Sequence, residues 1–300
     1  MNTSRYLLFA ILSACLLQAQ QAAPYPPVMQ GAIQEVYKTV NGTKLNLHIF
    51  NPPGFKPAGA AQGKRAAIIL FFGGGWTNGT PGQFEQQCRH LATKGMVAIA
   101  ADYRVKSRNQ STITDSVRDA KSAIRYVREN ADRLGIDPSR IAAGGGSAGG
   151  HIAAAAGVII GLDNPSEKLS VSSRPNALVL FNPVVIMAPA VGDAELTAQS
   201  GAITARGAQE ASAVAISPWH YVTASAPPTI IFHGTADTTV PFVTVEAFSR
   251  KMQAAGVRCD LIRFEGENHG FFNFRPGGNK NYDETLAKAV QFLTSLGYIK

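Results

Sequence analysis

Cysteine is scarce in this chain. Of 300 residues only Cys15, Cys88 and Cys259 carry a thiol. Once an N-terminal leader is removed, a single disulfide is the most that could form. Cys88 falls on an expected helix and Cys259 at the start of an expected strand, so two separate buried thiols are expected, neither with the surroundings of a nucleophile. No apolar stretch is long and uninterrupted enough to span a bilayer. Internal repeats and low-complexity linkers are also missing, which leaves one large domain. The basic residues are not interleaved with aromatics in a pattern suited to nucleic acid. The formal charge of +8 therefore implies solubility and attraction to anionic surfaces, such as an acidic polymer.

The first residues carry an export signal. Arg5 precedes the apolar run Tyr6 to Leu12, followed by small and polar residues, as in a secretory leader over 1–23. Leu12-Ser13-Ala14-Cys15 also matches a lipoprotein box, with Cys15 as the lipidated residue. Cleavage near Ala19 is the alternative. Periplasmic or secreted residence is expected, and residues 24–300 form the remaining domain.

Hydrophobic residues make up 45% of the chain, enough for a sizeable core. Apolar strands alternate with helical stretches, the pattern of a mostly parallel sheet covered on both faces. Expected strands include Ala66–Phe72, Ile141–Ala143, Ala177–Phe181, Thr229–Phe232 and Asp260–Phe264. A helix is expected from Ser111 to Leu134, with Arg118, Lys121, Arg125 and Arg128 on a solvated outer face.

The most informative segment is Gly145-Gly146-Ser147-Ala148-Gly149. It follows an apolar strand and precedes a run of alanines, so strand, turn and helix fall where a G-x-S-x-G nucleophile elbow requires them. A serine hydroxyl needs a base, and the base needs a carboxylate to fix its tautomer. Chain order in this class is Ser, then Asp or Glu, then His. Asp237 lies in the turn after the Thr229–Phe232 strand, and His269 in the loop after the last strand. Ser147, Asp237 and His269 are the candidate triad. Rival positions are His233, His151, His48, His90, His220, Asp193, Glu195 and Glu267. His233 is expected to brace the Asp237 turn and His151 to be a buried hydrogen-bonding residue. An oxyanion needs preorganised N–H donors. These are assigned to Ala148, directly after the nucleophile, and to Gly74 and Gly75 in the glycine loop after Ala66–Phe72. Trp76 is expected to wall the substrate cleft.

Four segments taken together resemble the α/β-hydrolase superfamily: Phe71 to Trp76, Gly145 to His151, His233 to Pro241, and His269-Gly270-Phe271-Phe272-Asn273. The similarity is to bacterial secreted esterases of the acetyl-esterase and feruloyl-esterase-like kind, near the hormone-sensitive-lipase group. It covers roughly Ile33 to the C-terminus. It implies an α/β-hydrolase fold and carboxylic ester hydrolysis with no metal or organic cofactor. Two positions depart from the hormone-sensitive-lipase pattern, which has histidine where Phe72 stands and an acidic residue where Gly146 stands. The segment 184–216 is long for a connection and is expected to act as a small cap-like insertion covering part of the cleft. It lacks the amphipathic apolar lid of a lipid-seeking enzyme. The expected substrate is a small ester or an acylated polysaccharide, with a short acyl group on a bulky alcohol. A serine peptidase or amidase resembling the prolyl-oligopeptidase catalytic domain is the alternative, and a silent binding module on the same scaffold is the third reading.

Overall fold

The computed structural model describes residues 25–57, 63–207 and 212–300. The expected leader, with Cys15, lies outside them. β1 (Ile33–Val40) and β2 (Thr43–Phe50) form an antiparallel hairpin. Asn41 and Gly42 turn it at φ 48° and 78°, the left-handed pair that a two-residue hairpin loop needs to match strand twist. Six strands follow: β3 (Arg65–Phe71), β4 (Val97–Ala101), β5 (Ile136–Gly146), β6 (Ala177–Phe181), β7 (Thr229–Gly234) and β8 (Cys259–Phe264). They join one sheet in the order β1-β2-β4-β3-β5-β6-β7-β8, in which β2 is antiparallel to both neighbours and the other pairings are parallel. This is the expected α/β architecture.

The helices are α1 (Glu85–Thr93), α2 (Lys106–Asn109), α3 (Ile113–Glu129), α4 (Ala131–Leu134), α5 (Ala148–Val158), α6 (Ala194–Gln199), α7 (Gly201–Gly207), α8 (Phe242–Ala254) and α9 (Lys280–Ser295). Successive strand side chains point to opposite faces. Ile69 and Phe71 of β3 therefore join the core under α3, α5 and α8. Ile68 and Leu70 join the one under α1 and α9. With both faces covered, the central strands read as unbroken apolar runs rather than as alternation. Cys88 and Cys259 are buried free thiols in different cores.

Two expectations are corrected. The helix expected over 111–134 is two helices, α3 and α4, separated at Asn130. Thr112 begins α3 through a capping box with Asp115, a reciprocal pairing that satisfies two otherwise unpaired donors. On that helix Lys121 and Arg125 are not solvated: each is only 3% exposed. Lys121 Nζ lies 3.2 Å from Asp163, and Arg125 pairs with Glu167 at 2.6 Å and also with Asp163. The chain after α5 folds over this face and brings those carboxylates with it. Among the described residues of the segment 184–216, none lines the cavity that contains Ser147. Val184, Val185, Ile186 and Met187 are buried in the core, which draws the segment inward, and α6 packs beside α8.

Beneath the C-terminal ends of the central strands sits an aromatic stack. Phe181 lies 4.8 Å from Phe272 and 5.2 Å from Phe232, centroid to centroid. Phe84 stacks on Phe272 at 5.9 Å. Phe181→Ala is expected to cost about 3–5 kcal/mol of stability, read as a lower urea midpoint. A loss below about 1 kcal/mol would show that the stack is not a keystone of the core.

Candidate active site

Strand order reverses around β3. The chain leaves β3 for β4 on one side and returns to β5 on the other. A sheet opens a crevice beyond the carboxyl ends of its strands at such a switch point. The Gly73–Gly75 loop follows β3 there, and Ser147 follows β5.

Ser147 has φ 53° and ψ −116°, a strained conformation for a residue with a side chain. The surroundings enforce it. Its amide donates to Phe181 O at 2.9 Å. A Cβ added at Gly149 would strike the carbonyl oxygens of Phe71 and Phe72, and one at Gly145 would lie 2.6 Å from the Gly149 carbonyl carbon. Helix α5 therefore approaches the sheet closely enough to admit only glycine at both positions, which leaves Ser147 at the apex of the turn.

Asp237 sits three residues beyond β7 and His269 five beyond β8. His269 Nδ1 donates to Asp237 Oδ2 at 2.7 Å. The Asp237 side chain is fully buried and that of His269 is 23% exposed. Asp237 Oδ1 also accepts from the amides of Thr239 and Val240 at 2.9 and 2.8 Å. Burial pushes the Asp237 pKa up, but hydrogen bonds from His233, His269 and the Val240 amide outweigh it and hold the carboxyl well below the usual range. An ionised Asp237 can only accept, so Nδ1 of His269 carries the proton and Nε2 is left basic.

Ser147 and His269 line one cavity of about 220 Å³, together with Gly73–Gly75, Gln83, Asn182, Thr239, Gly270, Phe272 and Asn273. Gly73 gives its amide to Gln83 Oε1 at 2.6 Å. Among the described residues no acceptor is paired with the amides of Gly74, Gly75 or Ala148. Gly74, at φ 123°, has no room for a Cβ against Asn78 O. A larger cavity, of about 340 Å³, lies at the far end of α5. Lys121, Arg125 and Asp163 in its wall are already paired with one another.

The rival residues take other roles. His233 donates from Nε2 to Val240 O at 2.8 Å and lies 3.3 Å from Asp237 Oδ2, so it braces the Asp237 turn. Asp193 caps α6 through the Leu196 amide, and Glu195 bonds Gln199. His220 bonds Ser217 and Pro189. His48 is buried on β2, and neither it nor His90 or Glu267 lines the cavity. Trp76 needs correction. It is 4% exposed and belongs to the core, not to the cavity wall. Its indole Nε1 donates to His151 Nδ1 at 3.2 Å, while His151 Nε2 donates to Ile216 O at 2.7 Å. A buried neutral imidazole supplies the acceptor that the indole N–H requires, and this draws the ring inward.

The two departures from the hormone-sensitive-lipase pattern also have causes. Phe72 stacks on Tyr103 at 4.1 Å, where a histidine would lose that packing. A Cβ at Gly146 would lie 2.6 Å from Phe272 Cζ, so the aromatic stack excludes an acidic residue there. Gln83 and Asn182 escaped the sequence reading, while Thr239, Gly270, Phe272 and Asn273 lie in the resembling segments without a role having been assigned to them. Asn182 directly follows the β6 carboxyl end, a position that could have flagged it. Gln83 lies in the short 3₁₀ turn Pro81–Phe84 and gave no signal.

A family model, BD-FAE, matches residues 55–252. The chain belongs to the BD-FAE family. Among solved structures it is similar to the native Est2 esterase of Thermogutta terrifontis, with 47% identity and a TM-score of 0.85 over 92% of this chain and 96% of that one. The butyrate-bound form of that esterase gives 47% identity and a TM-score of 0.85 over 93% and 99%. A curated relative is the probable carboxylic ester hydrolase LipM of Mycobacterium tuberculosis (strain ATCC 25618 / H37Rv), 30% identical over 69% of this chain and 48% of that protein. Another is the probable isoprenylcysteine alpha-carbonyl methylesterase ICMEL1 of Oryza sativa subsp. japonica, 28% identical over 69% and 51%. The chain thus spans about half the length of these curated relatives. As a BD-FAE member it shares the α/β-hydrolase fold of the esterases.

Burial pushes the His151 pKa down from 6.5 to about 4. A folded-state pKa below the unfolded one means stability is full above about pH 6.5 and falls as pH drops towards 4. The His151→Gln variant is expected to lose up to roughly 3 kcal/mol less than wild type across that window, read as the slope of Tm against pH. Parallel slopes would show that His151 titrates alike in the folded and unfolded states.

Proposed function

We propose that this chain is a serine-dependent carboxylic ester hydrolase acting on short-acyl esters. The observation that carries the reading is the 2.7 Å bond from His269 to Asp237, with His269 sharing its cavity with Ser147 and the Gly73–Gly75 loop. Relatives named as esterases and carboxylic ester hydrolases support it.

In this mechanism Nε2 of His269 takes the Ser147 proton as Oγ attacks the ester carbonyl. The negative charge that forms on the carbonyl oxygen is held by the amides of Gly74, Gly75 and Ala148, with the positive end of α5 behind Ala148. His269 then hands its proton to the departing alcohol, leaving an acyl group on Ser147. Water, deprotonated by the same imidazole, attacks this acyl-enzyme, and the acid leaves with Ser147 restored. Asp237 stabilises the imidazolium in both halves without taking the proton.

A cavity of about 220 Å³ suits a short acyl chain better than a long one. The Thermogutta terrifontis esterase, solved with propionate and with butyrate bound, supports that size range. The Gln83, Asn182 and Asn273 carboxamides in its wall are engaged with one another and with backbone, so the preference for a hydroxyl-rich alcohol rests on the family resemblance and not on this lining. Acetyl esters of carbohydrates are the substrate class we favour. The leader around Arg5 to Leu12 supports export of the protein to where acylated polymers are met.

Ser147→Ala is expected to lower turnover of p-nitrophenyl acetate by roughly 10⁴–10⁶-fold, as for catalytic groups acting as a unit. Activity within tenfold of wild type would remove Ser147 from the mechanism. With the wild-type enzyme, kcat/KM is expected to fall about tenfold or more between p-nitrophenyl butyrate and the decanoate. A rise with chain length would reject the short-acyl reading.

A further inference from the structure

We propose that Asn182, Asn273 and Gln83 form a positioning network of carboxamides that fixes His269 relative to the glycine-loop amides; this rests on the esterase reading of the site. The residue after His269 is Gly270, at φ 80°. Both polar groups of its backbone are gripped by side chains. Its N–H donates to Asn182 Oδ1 at 3.0 Å, and its carbonyl accepts from Asn273 Nδ2 at 2.9 Å. Asn273 Oδ1 in turn accepts from Gln83 Nε2 at 2.8 Å, and Gln83 Oε1 accepts from the Gly73 amide at 2.6 Å. An unbroken chain of hydrogen bonds therefore runs from the loop that carries His269 to the loop that carries Gly74 and Gly75. It joins residues 190 positions apart, so no local element could supply the link.

The directions of these bonds allow one arrangement only. The Gly73 amide can only donate, so the Gln83 oxygen must face it and the Gln83 nitrogen must face Asn273. Asn273 then presents its oxygen to Gln83 and its nitrogen to the Gly270 carbonyl, which can only accept. Flipping either amide places like atoms together at both of its ends. The spacing between base and oxyanion donors is thereby set by groups that carry no charge, leaving the imidazole's basicity to Asp237.

Asn182 bears costs that an ordinary core residue would avoid. It is fully buried and holds φ 34° immediately before Pro183, a region disfavoured for a residue with a side chain. Its Nδ2 is buried with no partner among the described residues. Each feature is destabilising. Both accompany its bond to Gly270, beside the candidate base. Asn279 anchors the far side of the same turn by donating to Phe271 O and Asn273 O at 2.8 and 2.7 Å.

The test is a double-mutant cycle on kcat for p-nitrophenyl acetate, with wild type and Ser147→Ala measured first to establish serine-dependent hydrolysis. Gln83→Leu and Asn273→Ala are each expected to lower kcat about 10- to 100-fold, since a small misplacement of reacting groups has that effect, while KM stays within about threefold. The double variant should lose no more than the worse single variant. Gln83→Glu, which keeps the acceptor for Gly73 and gives up the donor to Asn273, should fall between wild type and Gln83→Leu. Losses that multiply, that appear in KM alone, or that vanish after correction for the folded fraction would overturn the network. A second arm needs no turnover. Amide hydrogen exchange over residues 266–274 should quicken about tenfold in Gln83→Leu at unchanged Tm. Unaltered protection there would overturn the network even if ester hydrolysis were absent, whereas faster exchange in an enzyme inactive on esters would sustain the network and reject the esterase reading.

Discussion

The close approach of α5 to the central strands is the constraint from which the site follows. Phe71 and Phe72 present their carbonyl oxygens where a side chain at Gly149 would stand, so the helix can lie there only because glycine does. That contact forces the chain to turn within one residue at the end of β5, and the residue at the apex is Ser147 with positive φ. Strain of this kind survives only where surrounding packing over-determines it. Here the packing is extensive: the Ser147 amide is tied to Phe181, Phe181 belongs to the aromatic stack, and the stack presses Phe272 against Gly146. The elbow and the core beneath it form one mechanical unit.

Around that unit the site divides its labour by element. Strands β3, β5, β7 and β8 each end at the same rim and each releases one loop, carrying in turn the glycines, the candidate nucleophile Ser147, the Asp237 carboxylate and the His269 imidazole. Charge is handled in the loop after β7, where buried Asp237 is kept ionised by two imidazoles and by backbone amides. Position is handled by neutral groups, the carboxamides around Gly270 and Gly73. The separation is physically sensible, because a charged group in the positioning chain would also shift the imidazole it positions.

His151 shows how a candidate for chemistry becomes a structural tie. From its place one turn into α5 it accepts from Trp76 and donates to Ile216. It thereby connects the residue after the glycine loop with the end of the 184–216 segment. The described residues of that segment pack in the core and beside α8.

Much was legible in the residues alone. Periodicity marked the buried strands, because sheets covered on both faces select continuous apolar runs. The small residues around Ser147 announced the elbow, because only they allow its backbone. Asp237 and His269 could be proposed beside Ser147 from the chain order of the elbow class and from strand ends, which a parallel sheet places on one edge. Partner choice at long range was not legible. Lys121 and Arg125 read as solvent-facing from helix spacing, yet the chain after α5 brings Asp163 and Glu167 onto them. Trp76 read as a cleft wall, yet an imidazole 75 positions away turns it inward. Gln83 offered no pattern at all, since its meaning depends on Asn273, 190 positions further on. Local sterics write backbone conformation into sequence, whereas a hydrogen bond between distant loops exists only once the sheet has set them side by side.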